Sequence, residues 1–190
     1  MELIIRSTPG SRAEEIKQLL SQSGIPITAY TDSDEIPEEG RLLLIYGRPE
    51  YAIEQSVADG DIDRGAEEWR DQAKTLASLW RKYRGRSMMV HGPSVSGDPD
   101  AFGQLCAERY GTEVELHDIH TKEEVNSLYS VIAAQYVASS VELQDLNGEL
   151  EAMAQPLSEA PPSYPVSCRD AQQHLNRLQT DIGERTEENE

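Results

Sequence analysis

Short apolar segments alternate with amphipathic helical segments over the first 110 residues of this 190-residue chain. The clearest apolar segment is residues 41–46, Arg-Leu-Leu-Leu-Ile-Tyr, a continuous apolar run typical of a strand that is covered on both faces. Residues 2–6, 25–30 and 86–91 are further short runs that indicate strands. Strands that alternate with helices pair in parallel through right-handed crossovers. The chain is therefore predicted to have an α/β fold in three layers, a parallel sheet between flanking helices.

The segments between these strands carry helix signals. Residues after the first strand have Ile16, Leu19 and Leu20 at helical spacing, and Gly24 ends that helix. Further helices are predicted over about 49–58, 65–84 and 98–110, the last opened by Asp98-Pro99 and stopped by Gly111. The acidic segment 31–40 is predicted to be a surface loop, and residues 113–116 a final short strand.

The chain changes character from Lys122 onward. Two helical stripes follow, and we expect them to cover the sheet or a partner: Val125, Leu128, Tyr129, Ile132, Tyr136 and Val137, then Leu143, Leu146, Leu150 and Met153. Four prolines make residues 156–167 an extended linker. Beyond it, Ala171, Leu175, Leu178 and Ile182 begin a heptad seam, and residues 184–190 are predicted to be disordered. These features divide the chain into an α/β domain with covering helices (1–155), a linker (156–167) and a short amphipathic helix with an acidic tail (168–190).

The charge balance excludes some partners. With 35 acidic and 17 basic side chains, the net charge is −18, and such a surface repels nucleic acid and anionic membranes. The two cysteines, Cys106 and Cys168, lack the spacing of a zinc site or a disulfide framework. A basic leader and an apolar run of 18 residues are both missing from the sequence, so we expect a cytoplasmic protein.

Three segments of the sequence follow one another in an order and at a spacing that, taken together, are a more specific signal than any single segment. They are residues 4–12, Ile-Ile-Arg-Ser-Thr-Pro-Gly-Ser-Arg; residues 45–56, in which Arg48 and Ser56 stand eight positions apart; and residues 88–91, followed by Asp98-Pro99. Together they resemble the sulfotransferase family, whose members have a P-loop-like fold and transfer a sulfuryl group from the nucleotide PAPS.

The resemblance implies a donor site with two halves. The loop that contains Thr8 and Ser11 would cradle the 5′-phosphosulfate, and Arg48 and Ser56 would hold the 3′-phosphate. An arginine at a strand end can fork onto a phosphate, and a serine in the following helix can reach the same group. The alternative is that Arg48 pairs with a nearby acid, such as Glu50 or Glu54.

The first loop departs from the family pattern at the positions on which catalysis depends. Gly10 stands where the family has its catalytic Lys or Arg, so no cation can stabilise charge on the bridging oxygen. Arg12 replaces a loop glycine, and Ala13 and Glu14 replace hydroxyl residues. Glu14 also brings negative charge to the anion position. Arg12 could substitute for the missing cation, which leaves an active enzyme open.

Other candidate residues have stronger structural explanations. The family's downstream Arg-Lys-Gly segment has no match, since Lys122 is the only lysine or arginine in residues 112–155. His91 could act as a general base, but a lone histidine is more often a packing or surface residue. His117 and His120 have metal-ligand spacing only on a helix, and their segment has the character of a solvated loop, so no metal is expected. The basic cluster Arg81, Lys82, Arg84 and Arg86 could meet a partner's acids or an anionic glycan, but it more simply complements a helix dipole.

We therefore expect a catalytically silent sulfotransferase-like domain without a cofactor, which binds or scaffolds a protein partner or forms a homo-oligomer through its C-terminal helices. The alternative is a divergent sulfotransferase that uses PAPS on a carbohydrate or small-molecule acceptor, with adenosine 3′,5′-bisphosphate as the spent donor. A third hypothesis is a binding module for another nucleotide or a phosphorylated glycan.

Overall fold

Apolar runs form the strands of a parallel sheet in the computed structural model, which describes residues 3–28, 36–37, 40–111, 127–157, 164 and 167–187. The strands are β1 (Leu3–Ser7), β2 (Ile27–Thr28), β3 (Arg41–Tyr46) and β4 (Ser87–His91). They pair in parallel in the order β2-β1-β3-β4, with Ile5 opposite Leu43 and Leu43 opposite Met88. The mixed α/β prediction is confirmed at this level.

Helices follow the strands in the predicted alternation. The bounds are α1 (Ala13–Gln22), α2 (Pro49–Asp59), α3 (Ile62–Lys82), α4 (Gly92–Gly97), α5 (Pro99–Tyr110), α6 (Ser127–Ser139), α7 (Val141–Met153) and α8 (Cys168–Glu187), with a short 3-10 turn at Arg84–Arg86. Asp98 caps α5 by accepting a hydrogen bond from the Ala101 amide at 3.0 Å, and Gly111 follows α5 in the left-handed conformation. None of the helices in the described part of the chain is both long and apolar enough to cross a membrane.

Both faces of the sheet are covered, because alternate side chains of each strand enter different cores. One core joins Ile4, Leu42, Leu44, Tyr46 and Met89 to α2, α3, α6 and α7. The other joins Leu3, Ile5, Leu43, Ile45, Met88 and Val90 to α1, α4 and α5. Residues 42–46 of β3 are 0–2% exposed, as the unbroken apolar run predicts. Each fully buried Leu or Ile contributes about 1.5–3 kcal/mol, so Leu42, Leu43, Leu44 and Ile45 make β3 a large contributor to the stability of the fold.

The C-terminal helices extend the layer that α2 and α3 form. Helix α6 lies against α2 on one side and α8 on another, while α7 lies against α3. The predicted stripe of α6 is confirmed at Val137 only, since the other buried positions are Ser130 and Ala133, and the larger residues of the stripe are half-buried. Val125 of that stripe lies outside the described residues. A helix that packs on two sides has no single apolar face, which explains the error. The stripe predicted on α7 holds, with Leu143 and Leu150 buried.

Several other predictions change or fall outside the described residues. Ile36 is buried against the α2–α3 core rather than part of a surface loop, and residues 184–187 continue α8 rather than being disordered. Just before the predicted linker, the Gln155 amide donates to the Met89 carbonyl at 2.8 Å, and within the linker Tyr164 is buried. The predicted strand 113–116, the histidines at 117 and 120, and the side chains of residues 178 and 182 lie outside the described residues.

The strand order marks one place on the sheet for ligands. From β1 the chain moves to β2 on one side and then to β3 on the other, so the winding direction reverses between β1 and β3. Open parallel sheets bind ligands in the crevice that forms at the carboxyl ends of such a strand pair. Here those ends lead into the loop of residues 8–12 and into Gly47 and Arg48.

Candidate functional site

Thr8 joins the ends of the two strands that flank the crevice. Its amide donates to the Ile45 carbonyl at 3.1 Å, and its hydroxyl oxygen accepts from the Gly47 amide at 2.9 Å. Thr8 is 3% exposed, so both bonds are shielded from water. The hydroxyl predicted to bind nucleotide therefore also has a structural task, which is to hold the loop of residues 8–12 on β3.

Gly10 has a packing reason to lack a side chain. Its φ of +70° lies in the left-handed region, and a Cβ there would lie 2.6 Å from the Tyr51 Cβ and 2.9 Å from the Ala52 amide nitrogen. A lysine or arginine at this position would collide with the first turn of α2. The absence of a side chain at position 10 is thus required by the way the loop meets α2.

Arg12 begins α1 in an unusual conformation. It is the one non-glycine residue with positive φ in the described part of the chain, at 59°, and its side chain makes no capping hydrogen bond to α1. A left-handed non-glycine residue costs about 1–2 kcal/mol. The packed loop on one side and the buried Ala13 on the other hold the backbone in this turn.

The loop backbone packs directly on two further glycines. A Cβ at Gly47 would lie 2.6 Å from the Gly10 carbonyl oxygen, and one at Gly92 would lie 1.7 Å from the Ser11 carbonyl oxygen. These glycines stand at the carboxyl ends of β3 and β4, so the loop closes onto the sheet edge. The close approach holds the Gly10–Ser11 backbone in one position.

A cleft of about 310 Å³ opens on the outer side of this loop. Its walls combine hydroxyl, amide and charged groups, and the residues are Ser7, Thr8, Gly10, Ser11, Arg12, Ala13, Glu14, Glu15, Tyr51 and Gln55. The structure therefore places Thr8, Ser11 and Arg12 in the wall of one cleft. The walls carry two carboxylates and one guanidinium, and the Glu14 carboxylate is paired with the ammonium of Lys17 at 2.5 Å, so the cleft has no excess of positive charge to attract a multiply charged phosphate.

Arg48 points to α7 rather than to this cleft. Its Nη2 lies 3.1 Å from Oε1 of Glu151, and the same oxygen accepts from Nδ2 of Asn147 at 2.9 Å. Pairing with an acid was the alternative interpretation of Arg48, and the acid is Glu151 rather than Glu50 or Glu54. Because the partner lies 103 positions away in the chain, no local sequence signal identifies it.

Ser56 lies in a helix interface. It is 7% exposed, and a Cβ at Gly65 of α3 would lie 2.3 Å from its hydroxyl oxygen. Neither Ser56 nor Arg48 lines the cleft. The structure thus separates the two predicted halves of the donor site, and the role of Arg48 and Ser56 in holding a 3′-phosphate stays a prediction.

His91 is buried at the end of β4. It is 4% exposed, its Nδ1 lies 2.9 Å from the Ser94 hydroxyl, and its ring centroid is 5.1 Å from that of Tyr46. Burial lowers the pKa of His91 to about 4, and the Arg48 charge acts in the same direction. The imidazole is neutral at pH 7 and does not line the cleft, in agreement with a packing residue rather than a base that meets substrate.

Other buried polar groups surround the Arg48–Glu151 pair. Burial raises the pKa of Tyr46, and the Glu151 charge adds to that effect. Burial likewise raises the pKa of Glu50, whose Oε2 is buried without a hydrogen-bond partner among the described residues. The pair is therefore part of a shielded polar cluster, where breaking one contact leaves others unsatisfied.

The basic cluster after α3 makes contacts within the chain. Arg81 pairs with Glu149, and Arg84 stacks on Trp80 with 4.8 Å between guanidinium and ring centroid. Arg86 lies 4.7 Å from the Tyr83 ring and donates to the carbonyls of Pro37 and Gly40. These contacts favour the structural interpretation over an anionic-partner site. No group of His, Cys, Asp or Glu side chains within the described ranges is arranged to hold a metal ion.

Comparison with protein-family models, with curated proteins and with solved structures finds no match to this chain. Its function must be inferred from its own residues.

Proposed function

We propose that this chain is a catalytically silent sulfotransferase-like domain that acts in the cytoplasm as a binding or scaffolding protein. The Arg48–Glu151 ion pair carries the proposal, since a carboxylate of α7 takes the guanidinium that a 3′-phosphate would need. The side chains of Arg48 and Glu151 are 24% and 33% exposed, and the second bond from Asn147 holds the carboxylate in place. A nucleotide would have to displace this contact before it could bind.

The other half of the donor site supports the same conclusion. Gly10 supplies no cation, and its contact with Tyr51 and Ala52 leaves no space for a larger residue. Glu14, which is paired with Lys17, and Glu15 place two carboxylates on the wall where the 5′-phosphosulfate would lie. Arg12 is the one cation among the residues that line this cleft, so it alone of them could stabilise charge that develops on a bridging oxygen.

Together with this function, we propose that the chain has a three-layer, P-loop-like sulfotransferase fold, and several features of the structure support that assignment. The sheet is parallel, helices cover both of its faces, and the loop after β1 leads directly into α1. The free cysteines and the acidic composition suit the proposed cytoplasmic location. Helices α6, α7 and α8 supply the surface through which a protein partner or a second copy would attach.

One observation favours the alternative, a divergent sulfotransferase. Thr8 and Ser11 line the cleft together with Arg12, which the alternative requires as its substitute cation. In that case, Arg48 must leave Glu151 when the donor binds. The two functions therefore differ in what Arg48 does in the presence of nucleotide.

Calorimetric titration with adenosine 3′,5′-bisphosphate tests the proposal. We expect no saturable binding by the wild-type chain up to millimolar nucleotide. Micromolar binding that is lost in Arg48→Ala but kept in Arg64→Ala would overturn the proposal and establish the donor site. Arg64 is a suitable control because it is an exposed arginine of α3 that pairs with Asp59 and Glu68.

A further inference from the structure

Tyr164 docks on the α/β domain from within the proline-rich segment. It is 7% exposed, and its hydroxyl donates to Oε2 of Glu54 on α2 at 2.5 Å. The same hydroxyl accepts a hydrogen bond from Ser130, a fully buried residue of α6. Burial and the Glu54 carboxylate raise the pKa of Tyr164, so the phenol remains a donor at neutral pH. One side chain thus bonds to α2 and α6 together.

The Tyr164 ring also touches the wall of the cleft. It packs edge-on against Tyr51, with ring centroids 4.9 Å apart and an interplanar angle of 83°. Tyr51 lines the cleft beside Thr8 and Ser11, and Glu54 lies almost one turn further along α2. Tyr51 is therefore a shared element, with the cleft on one side and Tyr164 on the other.

Helix α8 begins four positions after Tyr164. Ser167 starts it, because its hydroxyl accepts from the Asp170 amide at 3.2 Å. The helix then lies against α6, where Ala171 is buried and Leu175 is 42% exposed. Among the side chains of α8 that are described before residue 178, Ala171 is the one buried apolar group, so an anchor just before the first turn restricts where this half of the helix can go.

We propose that Tyr164 is a clasp that couples the cleft to the docking of α8: contact of the Tyr164 ring with Tyr51 keeps α8 on α6, and a ligand in the cleft that moves Tyr51 releases it. The inference rests on the proposed binding and scaffolding function, and it names a regulation of that function. In the docked state, α8 and the outer side of α6 cover each other. In the released state, both surfaces are open to a partner.

The coupling follows from contacts that differ between the two states. A ligand shifts such an equilibrium only by its differential interaction with the docked and released forms. Tyr51 provides that difference, since its ring meets Tyr164 in the docked form alone. Loss of an edge-on aromatic contact should raise the population of the released form by about fivefold. Loss of a hydrogen bond to a carboxylate should raise that population by about tenfold or more.

Hydrogen exchange of the α8 amides in the full chain tests this inference. In Tyr164→Phe, which keeps the ring and loses the hydroxyl, we expect exchange about tenfold faster than in the wild type. In Tyr164→Ala the increase should reach about fiftyfold, because the ring contact is lost as well. In Tyr51→Leu, a substitution at the cleft wall, α8 should exchange about fivefold faster.

Gln55→Ala is the matched control, because Gln55 lines the same cleft from an exposed position on α2. It should leave the exchange of α8 unchanged, and the β3 amides should remain equally protected in every variant. Unaltered α8 exchange in Tyr164→Ala would overturn the clasp, and unaltered exchange in Tyr51→Leu would overturn its coupling to the cleft. Nucleotide binding by the wild type would instead overturn the proposed function; calorimetry measures it separately, and the exchange rates of the variants are compared in the absence of nucleotide.

Discussion

Gly92→Ala tests whether the loop of residues 8–12 is closed on the sheet edge. The added Cβ would lie 1.7 Å from the Ser11 carbonyl oxygen and 2.8 Å from its carbonyl carbon. A carbon and an oxygen need about 3.3 Å, so the two backbones must separate by roughly 1.6 Å (3.3 − 1.7). Ser11 is 2% exposed and lies in a loop that Thr8 bonds to Gly47, so this separation disturbs the packing around it.

The expected cost is about 3 kcal/mol of unfolding free energy. Overpacking of a tight site costs about 1–3 kcal/mol, and a weakened Thr8–Gly47 hydrogen bond adds about 1 kcal/mol. Replacing glycine by alanine inside a helix offsets part of this cost, because it stabilises the helix by up to about 1 kcal/mol. Urea unfolding followed by circular dichroism measures the difference from the wild type.

Gly97→Ala is the control for this measurement, because it changes the same helix at a position with nothing within 4 Å of the added Cβ. Its unfolding free energy should stay within about 0.5 kcal/mol of the wild-type value. If Gly92→Ala were equally neutral, the loop would be free to move away from β4, and the closed-loop account would be refuted.

Three further predictions concern the interior. The pKa of His91 is lowered to about 4, so between pH 6.5 and 4 the unfolded chain binds a proton that the folded chain does not; the folded state loses stability as the pH falls. The unfolding free energy of His91→Phe should therefore fall less between pH 7 and pH 4.5 than that of the wild type, by about 2–3 kcal/mol in urea titrations. Gly148→Ala, inside α7 and in open space, should raise the melting temperature by stabilising the helix about 0.5–1 kcal/mol. Trp69→Phe should cost about 3 kcal/mol in chemical unfolding, since the fully buried Trp69 Nε1 donates to the Gly47 carbonyl at 2.9 Å.

Much of the fold follows from local sequence patterns. Residues 41–46 predict the central strand because a strand buried on both faces has no polar positions, and the spacing around Trp69 predicts α3 because one face of that helix meets the core. Helix α4 was missed. Its start, Gly92-Pro93-Ser94, has the composition of a turn, and the His91–Ser94 hydrogen bond that accompanies it is visible only in three dimensions.

The candidate site was predictable only in part, because its decisive contacts join distant segments. Thr8, Ser11 and Arg12 are close in the sequence, so placing them at the end of β1 also placed them together. The partner of Arg48 is on α7, and the partners of Tyr164 are on α2 and α6. Many acids could have paired with Arg48 in so acidic a chain, and charge alone could not select Glu151.

The state of Arg48 in the presence of nucleotide tests the central claim most directly. Nuclear magnetic resonance can follow the Arg48 Nε–H group together with the amides of Thr8 and Ser11 while adenosine 3′,5′-bisphosphate is added. A chain whose own Glu151 holds the guanidinium should show no saturable change in the Arg48 signal up to millimolar nucleotide. Saturable shifts of Arg48, Thr8 and Ser11 with one common micromolar affinity would contradict the account and show that both halves of the site bind the donor.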